Sequence, residues 1–290
     1  MKAALFAVLA ALAVFALPDA LAQNYPARPI RLISPFAPGG GTDILSRLIA
    51  GPVSESLGQT VVVDNRPGAG GAVGAELTAT AQPDGYTLIM VSSSYTATAA
   101  FHKVPYDPVN GIQPILLVGT VGLVMTVHPS LPAKSTKEFI DYAKSRPGKL
   151  NYATVGTGSV THLAHEQLKL MTGIDIVHIP YKGGGPALAA VVAGESQVSM
   201  ISMVPTIPHV RAGRLRAIGV TTPARMEQMP DVPSISENVS GFEVIHWYGI
   251  WGPRGLPRPI VERWNKEASK VLLSPDMKRQ MEGEGLTAGG

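Results

Sequence analysis

Glycine-rich loops that stand directly before helix-like segments are the residues of this sequence best suited to bind a ligand. The first loop, PFAPGGGTD at 35–43, follows an apolar run at 30–33 that has the length and branching of a short strand. From Asp43 onward the apolar residues fall near helical spacing, and Gly58 is placed to end that helix. The N-terminus of a helix presents free N–H groups and the positive end of the helix dipole. The stretch therefore predicts a binding site for a negatively charged group.

Two loops of the same kind occur later in the chain, at Gly156–Ser159 and Gly183–Gly185. Each loop alone is ordinary turn chemistry, but together with 35–43 they would bring helix starts from two parts of the chain to one cleft. The serine triplet Ser92–Ser94 ends an apolar, strand-like run. Because ligands of open α/β sheets bind at the carboxyl ends of strands, we expect the triplet to line the same cleft.

Motifs of nucleotide-binding enzymes and of hydrolases do not occur in the sequence. It contains no G-x-G-x-x-G, no G-x-x-x-x-G-K-[ST] and no G-x-S-x-G. His162 and His165 lie three residues apart on a predicted helix, but no glutamate stands between them in the zincin pattern and no third ligand is apparent. We therefore predict no metal and no cofactor, and we expect His162 to frame the start of its helix.

Charged and aromatic side chains near the loops are few. Arg66 and Lys182 are the cations nearest to them, and the aromatic residues that could line a cleft are Phe36, Tyr95, Tyr181 and Trp247. Aromatic residues are more often found in the core. If backbone N–H groups balance most of the negative charge of the ligand, the site would recognise where the ligand carries its carboxylate rather than what the rest of the ligand is.

Composition and charge exclude several classes of function. The chain has 290 residues, a formal net charge of +3 and no cysteine. The absence of cysteine excludes a disulfide framework. Since no run of five or six basic residues occurs, we expect no nucleic-acid partner.

The first 22 residues have the pattern of a secretory signal peptide. Lys2 supplies a small positive region, Ala3–Leu17 is apolar, and Ala20-Leu21-Ala22 is a cleavage motif before Gln23. The apolar run is shorter than the roughly 20 residues that span a bilayer. We therefore predict cleavage before Gln23 and export, most simply to a periplasm.

Strand-like and helix-like segments alternate along the chain and predict an α/β fold with mainly parallel, doubly wound sheets. After the first unit, strand patterns occur at 61–63, 86–91, 150–155, 175–179, 197–204 and 215–221, and helical patterns at 72–81, 136–145, 160–171 and 186–193.

A long extended segment at 115–127, interrupted by Gly119 and Gly122, is interpreted as a crossing between two domains. The aromatic extended segment at 242–252 would return the chain, and a helix is predicted over 259–273. We therefore predict a discontinuous first domain, 23–124 plus 249–290, and a second domain, 125–248.

Short motifs extend over nearly the whole mature chain in a fixed order. They are YPxRPIRLI at 25–33, PFAPGGGTD at 35–43, LGQ at 57–59, VVVDNRPGAGG at 61–71, PDGYTL at 83–88, RPGKL at 146–150, GTGS at 156–159 with His162-Leu163, PYKG at 180–183 and DVP at 231–233. In this number and order they resemble the Bug family, the extracytoplasmic receptors of tripartite tricarboxylate transporters.

The resemblance implies a type II-like periplasmic binding protein, with two doubly wound α/β domains joined by extended hinge strands. Such a receptor has no chemistry of its own: it would close as a monomer on a small mono-, di- or tricarboxylate and present it to membrane subunits. In the family, loops matching Phe36–Thr42 and Thr157–Ser159 hold a ligand carboxylate, and the segment matching Tyr181–Gly184 closes the pocket. Together with the strand-end serines and His162, the expected ligand-binding residues are Phe36, Pro38, Gly39, Gly40, Gly41, Thr42, Ser92, Ser93, Thr157, Gly158, Ser159, His162, Tyr181, Gly183 and Gly184.

Two alternatives remain open from the sequence. An exported hydrolase or isomerase could use the serines and His162 in the same cleft, and an orphan receptor could pass its signal to a sensor instead of a transporter. Members of the family usually continue beyond a segment like Gly285–Gly290 into one further helix packed on the first domain, so that either this sequence is truncated or its first domain lacks that cover.

Overall fold

The computed structural model describes residues 25–289. The predicted signal peptide and its cleavage site before Gln23 lie outside the described residues. Within 25–289, no helix is long and apolar enough to cross a membrane.

The first part of the described chain alternates strands and helices, as predicted. Its elements are β1 (Ile30–Ser34), α1 (Gly41–Leu57), β2 (Val61–Asn65), a 3-10 turn (Ala69–Gly71), α2 (Ala72–Ala79), β3 (Thr87–Ser92) and α3 (Ser94–Phe101). Strand β1 lies between β2 and β3 and pairs in parallel with both. Helix α1 ends at Gly58, whose φ of 71° is the left-handed conformation that glycine adopts without strain.

The middle of the chain repeats the pattern. Its elements are β4 (Ile112–Val127), α4 (Thr136–Lys144), β5 (Asn151–Thr154), α5 (Val160–Thr172), β6 (Val177–Pro180), α6 (Gly184–Val192), β7 (Val198–Ser202), α7 (Met203–Arg211) and β8 (Arg216–Val220). Strand β5 lies between β6 and β7 and is parallel to both.

Several predicted bounds in this region differ from the observed ones, and two of the differences concern helices that begin at the cleft. The strand predicted over 197–204 ends at Ser202, and helix α7 follows at once. Pro205 lies in the first turn of α7, where its missing N–H costs no helical hydrogen bond, so the proline does not prevent the helix. The helix predicted over 186–193 begins two residues earlier, at Gly184.

The remaining elements are β9 (Ile245–Pro253), α8 (Arg258–Leu272), α9 (Pro275–Gly283) and the short β10 (Thr287–Ala288). The strands form one curled sheet in the order β2-β1-β3-β9-β4-β7-β5-β6, with β8 and β10 also paired to β4. The α/β fold predicted from the sequence is therefore confirmed. The sheet is mixed and not mainly parallel, because β4 and β9 pair antiparallel with each other and with their neighbours.

Strand β4 joins the two parts of the sheet. Its residues 112–122 pair antiparallel with β9, and its residues 123–127 pair with β7, with β8 alongside. Strand β4 continues through both Gly119 and Gly122, so the predicted interruption at Gly122 is wrong, but the pairing of β4 with β9 is irregular between Leu117 and Gly119. A Cβ on Gly119 would lie 2.5 Å from the carbonyl oxygen of Thr287, so the glycine allows β10 to approach instead of breaking the strand.

Two large clusters of buried apolar side chains lie on either side of this crossing. One includes Leu32, Met90 and Trp264, and the other includes Phe139 and Tyr152. The apolar residues of α7 pack on the first cluster. Strands β1, β3, β5, β6 and β7 all lead into the starts of helices, which brings those starts to one edge of the sheet.

Candidate ligand-binding site

Five helices begin around one small cavity of about 30 Å³, which we call the inner chamber. A volume of this size holds roughly two water molecules, or a single group of carboxylate size. The helix starts contribute Gly40, Gly41, Thr42, Ser94, Thr161, Gly184 and Ser202, and the other lining residues are Phe36, Ser92, Val155, Ile201, His246 and Tyr248.

Four of these five helices begin without a capping side chain. Gly40, Ser93, Gly183 and Ser202 precede α1, α3, α6 and α7, and none of them makes a side-chain hydrogen bond to its helix. The exception is α5, which Ser159 caps. The first N–H groups of a helix have no acceptor within the helix and carry its positive dipole end. The inner chamber is therefore surrounded by hydrogen-bond donors and suits an anion.

The one carboxylate near these helix starts points away from the chamber. Asp43 is buried and accepts hydrogen bonds from the Gly39 N–H at 3.0 Å, from Arg47 Nε at 3.0 Å and from Asn65 Nδ2 at 2.9 Å. Burial alone would raise the pKa of Asp43, but these three hydrogen bonds outweigh it, so that the pKa is lowered. The Asp43 carboxylate therefore fixes the glycine loop and does not compete with a ligand.

We expect Asp43→Asn to lower the free energy of unfolding at pH 7 by about 1.5–3 kcal/mol, the range for hydrogen bonds to a charged group. Because the folded-state pKa is below the unfolded value of about 3.9, this contribution is complete above that pH. It is lost as the pH falls through the folded-state pKa. Urea unfolding at pH 7, 5 and 3 measures the difference.

The exposed Asp141, paired with Lys137 on α4, gives a matched control. Asp141→Asn should change the free energy of unfolding by less than about 0.5 kcal/mol at every pH. Equal effects of the two substitutions at pH 7 would contradict the role given to Asp43.

Loops from the two parts of the sheet meet beside the inner chamber. The Ala37 N–H donates to the Lys182 carbonyl oxygen at 2.9 Å. Gly185, in the first turn of α6, packs so closely on the loop before α1 that an added Cβ would overlap the Pro38 carbonyl oxygen. The structure is therefore closed around the chamber.

A larger cavity of about 460 Å³, which we call the outer chamber, adjoins the inner one. Phe36 and Val155 line both. Lys103 and Lys182 line the outer chamber, are exposed, and make no salt bridge within residues 25–289. No acidic residue of the described chain lines either chamber.

The expected ligand-binding residues fall into three groups. Those that line the inner chamber are Phe36, Gly40, Gly41, Thr42, Ser92 and Gly184. Those that line the outer chamber are Phe36, Thr157 and Tyr181. Those that line neither are Pro38, Gly39, Ser93, Gly158, Ser159, His162 and Gly183.

Ser159 and His162 use their polar atoms to hold the turn before α5. Ser159 Oγ donates to the Gly156 carbonyl oxygen at 2.6 Å, and His162 Nδ1 accepts from the Gly158 N–H at 3.2 Å. Burial lowers the pKa of His162, which favours the neutral ring. Within residues 25–289 no three histidine, aspartate or glutamate side chains are placed to hold a metal.

The serine–histidine pair of this region is not the one that the hydrolase alternative expected. Ser93 Oγ lies 2.5 Å from His246 Nδ1. His162 Nδ1 instead accepts a hydrogen bond from the Gly158 N–H, in the turn before α5. Ser93 does not line the inner chamber, and no carboxylate of the described chain is hydrogen-bonded to His246. A nucleophile directed at the ligand and an acid that orients the base are both missing from this pair.

Some lining residues were missed, and some expected ones lie elsewhere. Ser94 belongs to the serine triplet that was expected at the cleft. Ser202 was missed although it also ends a strand, and His246 and Tyr248 were missed because they lie on the antiparallel strand β9, for which no such rule exists. Of the candidate aromatic residues, Tyr95 is in the core and Trp247 lines neither chamber. Arg66 also lines neither and is paired with Asp64 at 3.0 Å.

An α/β chain whose helix starts, drawn from both parts of its sheet, surround one closed chamber has the architecture of a solute-binding receptor. The chain belongs to the tripartite tricarboxylate transporter receptor family, because the profile described as "Tripartite tricarboxylate transporter family receptor" matches residues 45–288. The resemblance to Bug receptors is thereby confirmed.

Relatives and solved structures agree with this assignment. Protein BugT of Bordetella pertussis is 36% identical over 270 residues, covering 92% of this chain and 83% of BugT. Rpa4515 of R. palustris, solved with adipate, has a TM-score of 0.89 and 35% identity, covering 92% of this chain and 90% of that one. MatC of Rhodopseudomonas palustris, solved with bound malate, has a TM-score of 0.86 and 33% identity, covering 91% of each chain.

Proteins of this family are periplasmic binding proteins that act as substrate receptors and not as enzymes. The present chain is therefore a receptor, and the expected periplasmic binding protein fold is confirmed.

Proposed function

We propose that this receptor captures a small organic carboxylate and delivers it to the membrane subunits of a tripartite transporter. The observation that carries the proposal is the inner chamber, where four uncapped helix starts converge and no acidic side chain of the described chain is present. Backbone N–H groups in this arrangement can replace the water around a carboxylate. The adipate and malate bound to the two solved relatives support the same ligand class.

The outer chamber would hold the rest of the ligand. The inner chamber has room for one carboxylate, and the outer chamber adjoins it beside Phe36 and Val155. Since Lys103 and Lys182 line the outer chamber without an acidic partner there, a second anionic group on the ligand would be attracted to this end.

Opening and closing would occur about β4 and β9, between a domain of residues 23–124 plus 249–290 and a domain of 125–248. The change of partners along β4 at residues 122–123 supports this division. The packing of Met203, Val204 and Ile207 on the first core places an apolar contact across the proposed boundary. The mature protein, cleaved before Gln23, would act in the periplasm as a monomer.

Isothermal titration of the purified protein against acetate, succinate, malate, adipate and citrate tests the proposal. We expect at least one of these acids to bind with a one-to-one stoichiometry. If none binds to protein whose fold is verified by circular dichroism, the proposed function is contradicted.

We expect the double variant Lys103→Ala/Lys182→Ala to bind dicarboxylates about five-fold more weakly and acetate as well as the wild type does. Two exposed charges each contribute roughly 0.2–1 kcal/mol and are screened by salt, so the loss should shrink at 0.5 M NaCl. Titrations with adipate and acetate at low and high salt measure both effects. Lys144→Ala, an exposed lysine on α4, is the matched control. An equal loss for both acids would contradict this role of the two lysines.

A further inference from the structure

One wall of the inner chamber consists of polar side chains that lie outside the loops. His246 and Tyr248 lie two residues apart on β9 and so point to the same side of the sheet, and Ser202 ends β7. All three line the chamber and are more than nine-tenths buried, with exposures of 5%, 2% and 4%. The edge of one ring faces the other, with centroids 4.6 Å apart. The two rings therefore form a fixed surface within the central sheet.

Ser93 determines which nitrogen of His246 carries the proton. The only hydrogen bond of the His246 ring in the described chain joins Nδ1 to Ser93 Oγ. If Nδ1 were the donor, the Ser93 hydroxyl hydrogen would have no acceptor among the described residues. The satisfied arrangement has Ser93 O–H donating to Nδ1, which leaves the hydrogen on Nε2. Burial lowers the pKa of His246 to about 3, so the ring is neutral at physiological pH.

One ring nitrogen in this wall lacks a partner within residues 25–289. His246 Nε2 makes no hydrogen bond there, while the buried Ser202 Oγ lies beside the Tyr248 hydroxyl. The Tyr248 hydroxyl lies over the first residue of α1, where a Cβ on Gly41 would overlap it. Buried polar groups without partners are rare in folded proteins, and a ligand in the chamber would supply the missing partner of His246 Nε2.

We propose that His246 is a ligand-binding residue, whose Nε2–H donates a hydrogen bond to the carboxylate in the inner chamber, with Ser202 and Tyr248 as neighbouring donors. Ser93 is the positioning residue that fixes the required tautomer. The inference rests on the proposed function, since it presupposes a carboxylate in this chamber. It adds a side-chain contact from the strand that crosses between the two parts of the sheet, so the ligand is held by the sheet as well as by the loops.

Three variants of His246 test the proposal by titration with the tightest-binding acid of the panel above. His246→Phe keeps the ring volume and removes the donor, and we expect a loss of affinity of roughly ten- to hundred-fold, as for a hydrogen bond to a charged group. His246→Gln places an N–H group near the position of Nε2 and should stay within about five-fold of the wild type. His246→Asn reaches only to the position of Nδ1 and should resemble the phenylalanine variant.

A spectroscopic measurement separates ligand contact from a structural role. Long-range ¹H–¹⁵N correlation of the wild type should show the proton of His246 on Nε2 and a downfield shift of that proton when the acid is added. Ser93→Ala should reduce the Nε2–H population and weaken binding. His128→Phe, outside both chambers, is the control and should leave affinity unchanged.

Wild-type affinity in His246→Phe, or a proton on Nδ1 in the free protein, would overturn the inference while leaving the proposed function intact. Failure of the wild type to bind any acid of the panel would instead contradict the proposed function.

Discussion

Gly185→Ala is expected to lower ligand affinity at least a hundred-fold without destabilising the ligand-free protein. Gly185 is the second residue of α6, where alanine has the better helix propensity by roughly 0.5–1 kcal/mol. Crowding of the alanine Cβ against the ring of the following Pro186 offsets this gain, so that little net change in stability is expected. In the closed structure, however, the added Cβ would overlap the Pro38 carbonyl oxygen and lie 3.2 Å from the Gly39 carbonyl carbon. Both contacts are with backbone atoms of the loop before α1, which cannot relieve the overlap by a change of side-chain rotamer. The substitution should therefore act against closure and not against folding.

Isothermal titration and thermal unfolding of the same preparation measure the two effects. Gly51→Ala is the matched control, since Gly51 is an exposed residue of α1 that also precedes a proline, and an added Cβ there meets no atom within 4 Å. The control should show a similarly small change in stability and keep wild-type affinity. Wild-type affinity in Gly185→Ala would show that closure of these two loops is not needed for binding.

Trp264→Ala should lower the free energy of unfolding by about 3–5 kcal/mol, the range for removal of a buried tryptophan. Trp264 lies on α8, is 1% exposed and belongs to the larger apolar cluster. Its Nε1–H donates to the Tyr25 hydroxyl at 2.6 Å, and Tyr25 in turn donates to the Gly85 carbonyl oxygen at 2.6 Å. The truncation leaves both a cavity and a buried hydroxyl with one partner fewer.

Urea unfolding monitored by circular dichroism measures this loss. Trp264→Phe fills most of the volume but lacks the N–H group, so it should fall between the wild type and the alanine variant. Leu170→Ala, at a position 88% exposed, should change the free energy by less than about 0.5 kcal/mol. A loss below about 1 kcal/mol in Trp264→Ala would contradict the central place given to this side chain.

Sequence periodicity predicted most of the fold because the βα units bury regular apolar faces. The strands at 30–34 and 61–65 and the helix from Gly41 to Leu57 follow such patterns. Helix α3 was not predicted, since SYTATAAF has no apolar period. Helix α7 was not predicted because its two prolines suppress the helical pattern, although tertiary packing of Met203 and Ile207 stabilises it.

The glycines of the inner chamber were predictable, whereas its β9 wall was not. Gly41 and Gly184 stand at helix starts, and a glycine there predicts a close approach to a ligand or to another backbone. His246 and Tyr248 become lining residues only through the pairing of β9 with β3 and β4, which local sequence does not encode. A residue can also lie near the site while its side chain is used elsewhere. Ser159 stands at the start of α5, but its hydroxyl caps that helix and does not line either chamber.

The most direct test of the account compares the tightest-binding carboxylic acid with its uncharged amide in isothermal titration. The two ligands have almost the same shape. The carboxylate is negatively charged and both of its oxygens accept hydrogen bonds from the helix starts and from His246, whereas the amide is neutral and replaces one acceptor with an NH₂ donor. The account predicts that the amide binds at least a hundred-fold more weakly. Equal affinity for the two would show that the converging helix starts do not bind an anion, and would contradict the account.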